Sequence, residues 1–403
     1  MGITRSGLPR AEAMRPTVCL VGGPDIDARL DLMRHLADDF DLCAVGTDVG
    51  VAPSFDREGF RFRSYRMARG VEPANDVRAL ASLMRVFLSE RPTIVHTFDT
   101  KPGVWGRLAA KLVRIPIVIG TLPGLGSLYA HPTRAARLIR MAYEPMQTLS
   151  SRLSDLTIFQ NPVDEAEFVR RGVVPHRRTA VISGSGVRTD LFRPTNSVGF
   201  ARSARGLRAS SFVVTMVSRV TRSKGALEFA AAARLVRSAH PNVEFVLVGA
   251  DDADSLDALT APELEEIRAS VNWLGHRTDV RELLALSDVF VFPSYYREGV
   301  PRALLEAAAT GLPLVAAQGA GSAEVVVDGL TGLLVEPKDP TAIADAIARL
   351  IESSELRTHL GANARELAVS RFDVSRVAER TRACYAELLA AKEPWQPVLA
   401  PVA

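Results

Sequence analysis

Short runs of β-branched and aliphatic residues alternate along the chain with stretches in which apolar positions recur every three or four residues. The first pattern predicts strands buried on both faces and the second amphipathic helices, so their alternation predicts parallel sheets covered by helices on either side. In the first half the strand-like runs are residues 17–21, 41–45, 60–64, 93–97, 115–121, 156–160 and 179–183, with helices over 28–37, 76–90, 103–113, 132–151 and 162–171. The series then restarts. Residues 212–217, 243–248, 271–274, 289–292, 314–316 and 332–335 read as strands, with helices near 225–239, 280–286, 301–310 and 342–352. The expectation is an α/β protein of two doubly wound domains, residues 17–195 and 210–373, joined by a linker over 193–209 that contains Pro, Asn, Ser and Gly. Residues 374–392 read as one long helix ending before Pro394, 393–403 as a tail, and 1–16 as a flexible leader with Met14 as a second candidate start. In open α/β sheets ligands bind beyond the carboxyl ends of the strands, which places the chemistry in a cleft between the domains.

Composition narrows this little. With 403 residues, 47% hydrophobic and 24% charged, the chain can bury two cores, and a disordered chain or a repeat array is excluded. Cys19, Cys43 and Cys384 stand singly without a CxxC pair, which argues against a disulfide framework or zinc site and fits a reducing cytoplasm. No run approaches the roughly 18 apolar residues of a spanning helix, and Arg5, Arg10 and Arg15 precede no long apolar stretch of signal-peptide type. Charge is more informative. Up to Pro194 there are 27 basic and 20 acidic residues, against 22 and 26 beyond it. A basic first half can meet phosphates of nucleic acid, of anionic lipid or of a diphosphate-linked substrate; a solvated Arg-rich surface is the alternative. Arg61, Arg63, Arg66, Arg69, Arg134, Arg137 and Arg140 carry the excess, and the last three, beside Leu138, Ile139 and Met141, line either an interfacial helix or a solvated one.

Two constellations point to chemistry. Glu298-Gly-Val-Pro-Arg-Ala-Leu-Leu-Glu306 follows the buried run from Asp288 to Ser294, so a strand empties into a loop and then a helix, with Pro301 suited to the first helical position. Gly299 and Val300 can aim backbone N–H groups at an anion, Glu306 can accept both hydroxyls of a ribose, and Glu298 can accept hydroxyls of a second sugar. The alternative is a helix-capping Glu298 and a surface Glu306. Arg219 and Lys224, followed by Gly225, lie at the next strand-to-helix junction, where two cations and a helix N-terminus can converge on a pyrophosphate; the spacing is no P-loop, and an ordinary charged loop is the alternative.

These residues, together with Leu274-Gly275-His276, the seven-residue gap between Glu298 and Glu306, and Gly329-Leu-Thr-Gly332, resemble the GT-B retaining glycosyltransferases of family 4, over nearly all the chain and most closely from Val217 to Pro337. The resemblance implies two Rossmann-like domains facing a central cleft, with the last helix crossing back to the first. It implies a nucleoside-diphosphate sugar, UDP by preference, as a substrate, with no cofactor and no metal, and a lipid-linked or glycan acceptor of surface-polysaccharide synthesis. Arg219 and Lys224 would then bind the donor diphosphate, Glu306 the ribose and Glu298 the donor sugar, with Gly299, Val300, Gly22, Gly23 and His276 lining the donor cleft. Arg219, Lys224 and Glu298 carry the catalytic expectation.

The acceptor site falls to the first half. His96-Thr-Phe-Asp-Thr-Lys101-Pro-Gly, Gly124-Leu-Gly126 and Phe159-Gln160-Asn161-Pro162 resemble loops of the branch that builds capsule and O-antigen, which implies acceptor roles for His96, Lys101, Gly124, Gly126 and Asn161. Thr121-Leu-Pro-Gly stands where many family members have a histidine beside the donor sugar, so no catalytic histidine is assigned. A histidine at a strand end is often a hydrogen-bonded structural residue, and His96 carries that alternative, as Gly22-Gly23 carries that of an ordinary turn. Asp99 and Asp288 have no partner evident in the sequence. Other GT-B enzymes, such as a sugar-nucleotide 2-epimerase or a sucrose- or glycogen-forming synthase, share the donor pocket. A nucleic-acid module would need an aromatic stacking platform, which is missing. The expected setting is cytoplasmic, peripheral at an anionic membrane surface.

Overall fold

The computed structural model describes residues 15–68, 72–124, 126, 134–195, 202, 203, 205, 207, 208, 210–255 and 257–392; the side chains of 134–136 and 142 are outside the description. Seven strands form the first sheet: β1 (Thr17–Val21), β2 (Asp41–Gly46), β3 (Arg61–Ser64), β4 (Ile94–Thr97), β5 (Ile117–Leu122), β6 (Leu156–Phe159) and β7 (Thr179–Val181). They pair in parallel in the order β3-β2-β1-β4-β5-β6-β7, with Val21 opposite Val45 on one side and Thr97 on the other. The second sheet contains β8 (Phe212–Val217), β9 (Val243–Val248), β10 (Asn272–Trp273), β11 (Val289–Phe292), β12 (Leu314–Ala317) and β13 (Gly332–Val335), in the order β10-β9-β8-β11-β12-β13. Each sheet reverses direction beside its first strand, between β1 and β4 and between β8 and β11. Such a reversal leaves a crevice at the carboxyl ends, because the loops on either side leave toward opposite faces.

Helices cover both faces. In the first domain these are α1 (Leu30–Leu36), α2 (Ala52–Arg57), α3 (Pro73–Glu90), α4 (Thr100–Leu112), α5 (Arg134–Leu153) and α6 (Pro162–Arg170). The second domain has α7 (Ala226–Ala239), α8 (Ala261–Ser270), α9 (Val280–Ala285), α10 (Arg302–Thr310), α11 (Pro340–Glu352) and α12 (Ser354–Leu367), and α13 (Val374–Ala391) closes the chain. The apolar pattern missed α2, α8 and α12. Each buries little: α2 only Phe55, α8 only Ile267 and Ser270, and α12 only Leu360, Gly361 and Ala364. α8 is instead held by a capping box between Thr260 and Glu263.

α13 does cross back. Val377, Ala378 and Tyr385 enter the first domain's core with Leu32, Leu36 and Phe40, and Tyr385 packs edge-on against Phe40. Part of the expected linker is tied down. Arg202 is buried and donates to Leu286 O at 3.0 Å, to Ser211 O at 2.7 Å and to Asp288 at 2.8 Å. This gives Asp288 the partner that the sequence did not reveal, and Asp288 also accepts from Val213 N.

Candidate active site

In the second domain β8 and β11 end on either side of the reversal, and their loops are stitched together. After β8 a single 3-10 turn, Arg222–Lys224, leads into α7 through Gly225 at φ +81°. Glycine is required twice over there: the left-handed backbone suits no L side chain, and a Cβ would collide with Pro293 O at the end of β11. The carbonyl of Ser223 then accepts from Tyr295 N at 2.9 Å and Tyr296 N at 3.1 Å. This contact delivers Lys224, 9% exposed, to the Glu298 carboxylate, with which it forms an ion pair. The ammonium also lies 4.8 Å from the centroid of the Tyr296 ring, and Ser294 Oγ donates to Glu298 at 3.4 Å. Glu298 therefore does not cap α10, whose N-cap is Pro301 without a side-chain bond; Pro301 sits one residue before the expected position.

Glu306 faces inward on the second turn of α10, its side chain 12% exposed, and accepts from Arg302 Nε at 2.9 Å. Burial raises its pKa, Asp31 across the cleft raises it further, and Arg302 opposes both. Arg219 lies apart from this group: its side chain is 55% exposed and ion-paired with Asp252. His276 is exposed and lines an open pocket of about 690 Å³ with Trp273, Arg268 and Asp251, beyond the carboxyl ends of β9 and β10.

In the first domain Gly22 and Gly23 turn the chain after β1, and their N–H groups are engaged within the protein. Gly22 N donates to Val45 O at 2.9 Å and Gly23 N to Asp99 Oδ2 at 3.1 Å. Asp99, at φ +67°, thus has the partner the sequence did not show; burial followed by the charge of Asp25 raises its pKa. His96 is 1% exposed, with Nδ1 2.7 Å from Tyr385 Oη and Nε2 2.7 Å from Thr121 Oγ1. Burial, with Arg29 nearby, holds its pKa down at about 3, so the imidazole is a neutral hydrogen-bonding strut. Lys101 donates to Ala68 O at 2.7 Å and pairs with Asp76 at 2.6 Å. Asn161, fully buried, caps α6: its Oδ1 accepts from Asp164 N at 2.8 Å and its Nδ2 donates to Asp164 at 2.9 Å. His96 and Asn161 thus hold structural positions. Leu125, between Gly124 and Gly126, lies outside the described residues.

What joins the two halves of the site is the backbone of 297–300. Val300 N donates 3.0 Å across the cleft to Gln160 Oε1, and Gly126 N donates 3.1 Å to Arg297 O. Cβ atoms added at Gly124 or Gly299 would collide with atoms of the other domain, so two glycines let the loop lie flat against the first domain, and Gly321 backs the loop from within the second, where a Cβ would strike Gly299 O. Arg297 completes the seam with Asp164 at 3.2 Å. Gln160 stood in the quoted motif without a role of its own. Its neighbour Asn161 carried the motif, and the only signal for Gln160 was a polar residue ending a buried strand. Among the described residues no three His, Cys, Asp or Glu side chains gather at metal-binding spacing.

Two Rossmann-like sheets, one of seven strands and one of six, joined where Val300 and Arg297 meet the first domain, give the two-domain architecture of the GT-B glycosyltransferases. The family model described as "Glycosyl transferase 4-like domain" matches residues 28–184 and that described as "Glycosyl transferases group 1" matches residues 199–367. A Campylobacter jejuni enzyme, N,N'-diacetylbacillosaminyl-diphospho-undecaprenol alpha-1,3-N-acetylgalactosaminyltransferase, is 30% identical over 302 residues, 74% of this chain and 78% of the relative. An Escherichia coli enzyme, UDP-Gal:alpha-D-GlcNAc-diphosphoundecaprenol alpha-1,3-galactosyltransferase, is 28% identical over 331 residues, 81% and 83% of the two chains. The solved structure of HepE from Anabaena with UDP and glucose superposes with a TM-score of 0.77 at 21% identity, covering 93% of this chain and all of that one. The chain belongs to the family 4 glycosyltransferases.

Proposed function

We propose that the protein transfers a sugar from UDP to a polyprenyl-diphosphate-linked acceptor, with retention at the anomeric carbon and without a metal ion. The observation that carries this reading is the Lys224–Glu298 pair, part-buried at the reversal of the second sheet. A donor diphosphate arriving at Lys224 competes with Glu298 for the ammonium and frees the carboxylate for hydroxyls of the donor sugar. As the sugar–phosphate bond breaks, charge grows on the departing UDP, so a cation fixed in place stabilises the transition state more than the ground state. Arg219, its side chain 55% exposed, reaches the same phosphates by leaving Asp252. Glu306 takes the ribose. Positive charge that a metal would supply thus comes from side chains. The acceptor class is supported by the names of both relatives, which carry a diphosphoundecaprenol group, and by the basic first half.

The test is incubation with UDP-, GDP- and ADP-sugars, reading nucleotide release with and without prenyl-diphosphate-linked sugars, with EDTA present and with the anomeric configuration of the product read by NMR. Release that ignores the lipid-linked acceptor favours a synthase acting on a water-soluble sugar. An inverted product, or activity abolished by EDTA and restored by a divalent cation, rules out the proposed mechanism.

A further inference from the structure

A groove of about 740 Å³ opens at the carboxyl ends of β2 and β3, outside the donor site, lined by Thr47, Ser64, Tyr65 and Arg66 on one wall and by α3 on the other. Its α3 wall is Asn75, Arg78, Ser82 and Arg85. These positions recur at three- and four-residue intervals and span about 15 Å along one helix face. The opposite face of α3 holds the core residues Ala79, Leu83 and Phe87, so this polar stripe is not an inward face short of partners. Among the described residues that line the groove there is no carboxylate.

The arginines around it divide sharply. Arg61 and Arg63 are neutralised by Glu90 at 2.9 and 2.7 Å, and Arg61 also by Asp41. The carboxylates at the start of α3 are engaged too, Glu72 by Asn75 and Asp76 by Lys101. Arg66 and Arg85 have no ion-pair or hydrogen-bond partner among the described residues, and Arg78 has only the Asn75 side chain at 2.9 Å. Three guanidinium groups with little to neutralise them therefore share one concave surface of a size that takes a small ligand. The groove adjoins the Gly22-Gly23 turn: Tyr65 Oη donates 3.0 Å to Gly22 O, and Thr47 N donates 3.4 Å to Gly23 O. A third face of α3, between the basic stripe and the core, exposes Val77 (61%) and Leu88 (59%), eleven residues and about three turns apart.

We propose that this groove holds the diphosphate of the lipid-linked acceptor, with Arg66, Arg78 and Arg85 as its phosphate ligands and the apolar face of α3 beside the start of the prenyl chain. The assignment rests on the acceptor class proposed above. Guanidinium groups suit it because they present paired N–H donors to phosphate oxygens and stay charged at all working pH values. Held there, the acceptor's first sugar lies toward Gly22-Gly23 and the donor.

The test uses the full chain with saturating UDP, so that the donor diphosphate site is filled. Wild type and the Arg66→Ser/Arg85→Ser double variant are titrated with farnesyl diphosphate, with farnesol, and with phosphatidylcholine–phosphatidylglycerol vesicles; UDP affinity and transfer kinetics are measured in parallel. The expected result is a ten- to hundredfold loss of farnesyl diphosphate affinity, a similar rise in KM for the prenyl-diphosphate acceptor, farnesol binding unaltered, and UDP affinity and vesicle binding within twofold of wild type. Arg66→Lys/Arg85→Lys should recover part of the loss. Unchanged farnesyl diphosphate affinity and KM in the double variant, while the wild type transfers to the lipid-linked acceptor, sinks the groove alone. Loss of vesicle binding with farnesyl diphosphate affinity intact reassigns the arginines to bilayer phosphates and equally overturns the proposal. A wild type that transfers only to acceptors lacking a diphosphate removes the acceptor reading, and the groove's role with it.

Discussion

Lys224 and Glu306 carry the sharpest consequences of this geometry for single residues. With its ammonium held at the reversal of the second sheet, Lys224 is the group best placed to stabilise a departing diphosphate. Lys224→Ala should lower kcat by about 100- to 1000-fold, as removal of one fixed electrostatic donor does elsewhere, with the far-UV circular dichroism unchanged. A kcat near wild type removes Lys224 from the mechanism. Glu306 is a buried carboxylate whose pKa is raised, so on acidification it loses its charge before an ordinary glutamate does. If the ionised form accepts the ribose hydroxyls, UDP affinity measured calorimetrically should fall more steeply from pH 7 to 5 in the wild type than in Glu306→Gln, where only protonation of the UDP terminal phosphate remains. Stability from this group runs the other way: a folded-state pKa above the unfolded one favours the fold at low pH and loses that contribution as pH rises. Opposite trends of binding and stability with pH thus separate the ligand role from a structural one.

Among the elements, α13 does the most to unite the chain. Its Tyr385 reaches the first domain's core and hydrogen-bonds His96, whose other nitrogen is engaged by Thr121. Tyr385→Phe leaves a buried imidazole nitrogen without its partner, an expected loss of about 1–3 kcal/mol in urea melts. Since the folded His96 is held near pKa 3, below its unfolded value, the stability it contributes is present above about pH 6.5 and is lost progressively as pH falls toward 3. Urea midpoints at pH 8 and pH 5 should differ less in His96→Gln than in the wild type, even though the variant is less stable at pH 8. A difference as large as that of the wild type would assign the acid sensitivity to other groups, such as carboxylates that are paired in the fold.

For the whole molecule, the seam between the domains decides whether donor and acceptor meet. It includes Gln160 on Val300 N, Arg297 on Asp164, and Ser183 with Glu324 and Arg371, closed over backbone contacts at Gly124 and Gly299. Gly299→Ala places a methyl group against Pro123 O and Gln160, so the loop must lift from the first domain. The expected outcome is a larger radius of gyration in small-angle scattering and a lower kcat, with UDP affinity within a few fold of wild type, since Lys224 and Glu306 both lie in the second domain. An unchanged radius with normal turnover would show that the seam yields locally. No helix among the described residues is long and apolar enough to cross a membrane, yet the first half carries the positive excess. Cosedimentation with phosphatidylglycerol vesicles at low salt, lost at high salt, is the expected signature of electrostatic attachment; indifference at both salts favours an acceptor taken from solution.

Most of the fold was written in local patterns. Buried runs such as 289–292 and amphipathic stretches such as 226–239 specify a parallel sheet because apolar periodicity is a near-neighbour property, and the Glu298–Glu306 spacing carried its family signature in nine consecutive residues. Helices whose faces are mostly polar, α2, α8 and α12, were invisible to the same criterion. What the tertiary structure alone decided was who faces whom. His96 and Asn161 stand in a motif, and only the fold shows that their polar atoms are engaged, by Tyr385 and Thr121 and by the turn of α6. Arg219 pairs with Asp252, 33 residues on, rather than with the Lys224 group. Arg66 joins Arg78 and Arg85 only because β3 and α3 converge at one sheet edge while Glu90 and Asp41 take Arg61 and Arg63. Charge and hydrogen-bond capacity belong to a residue; whether they are spent within the protein or left for a ligand depends on distances that chain order does not contain.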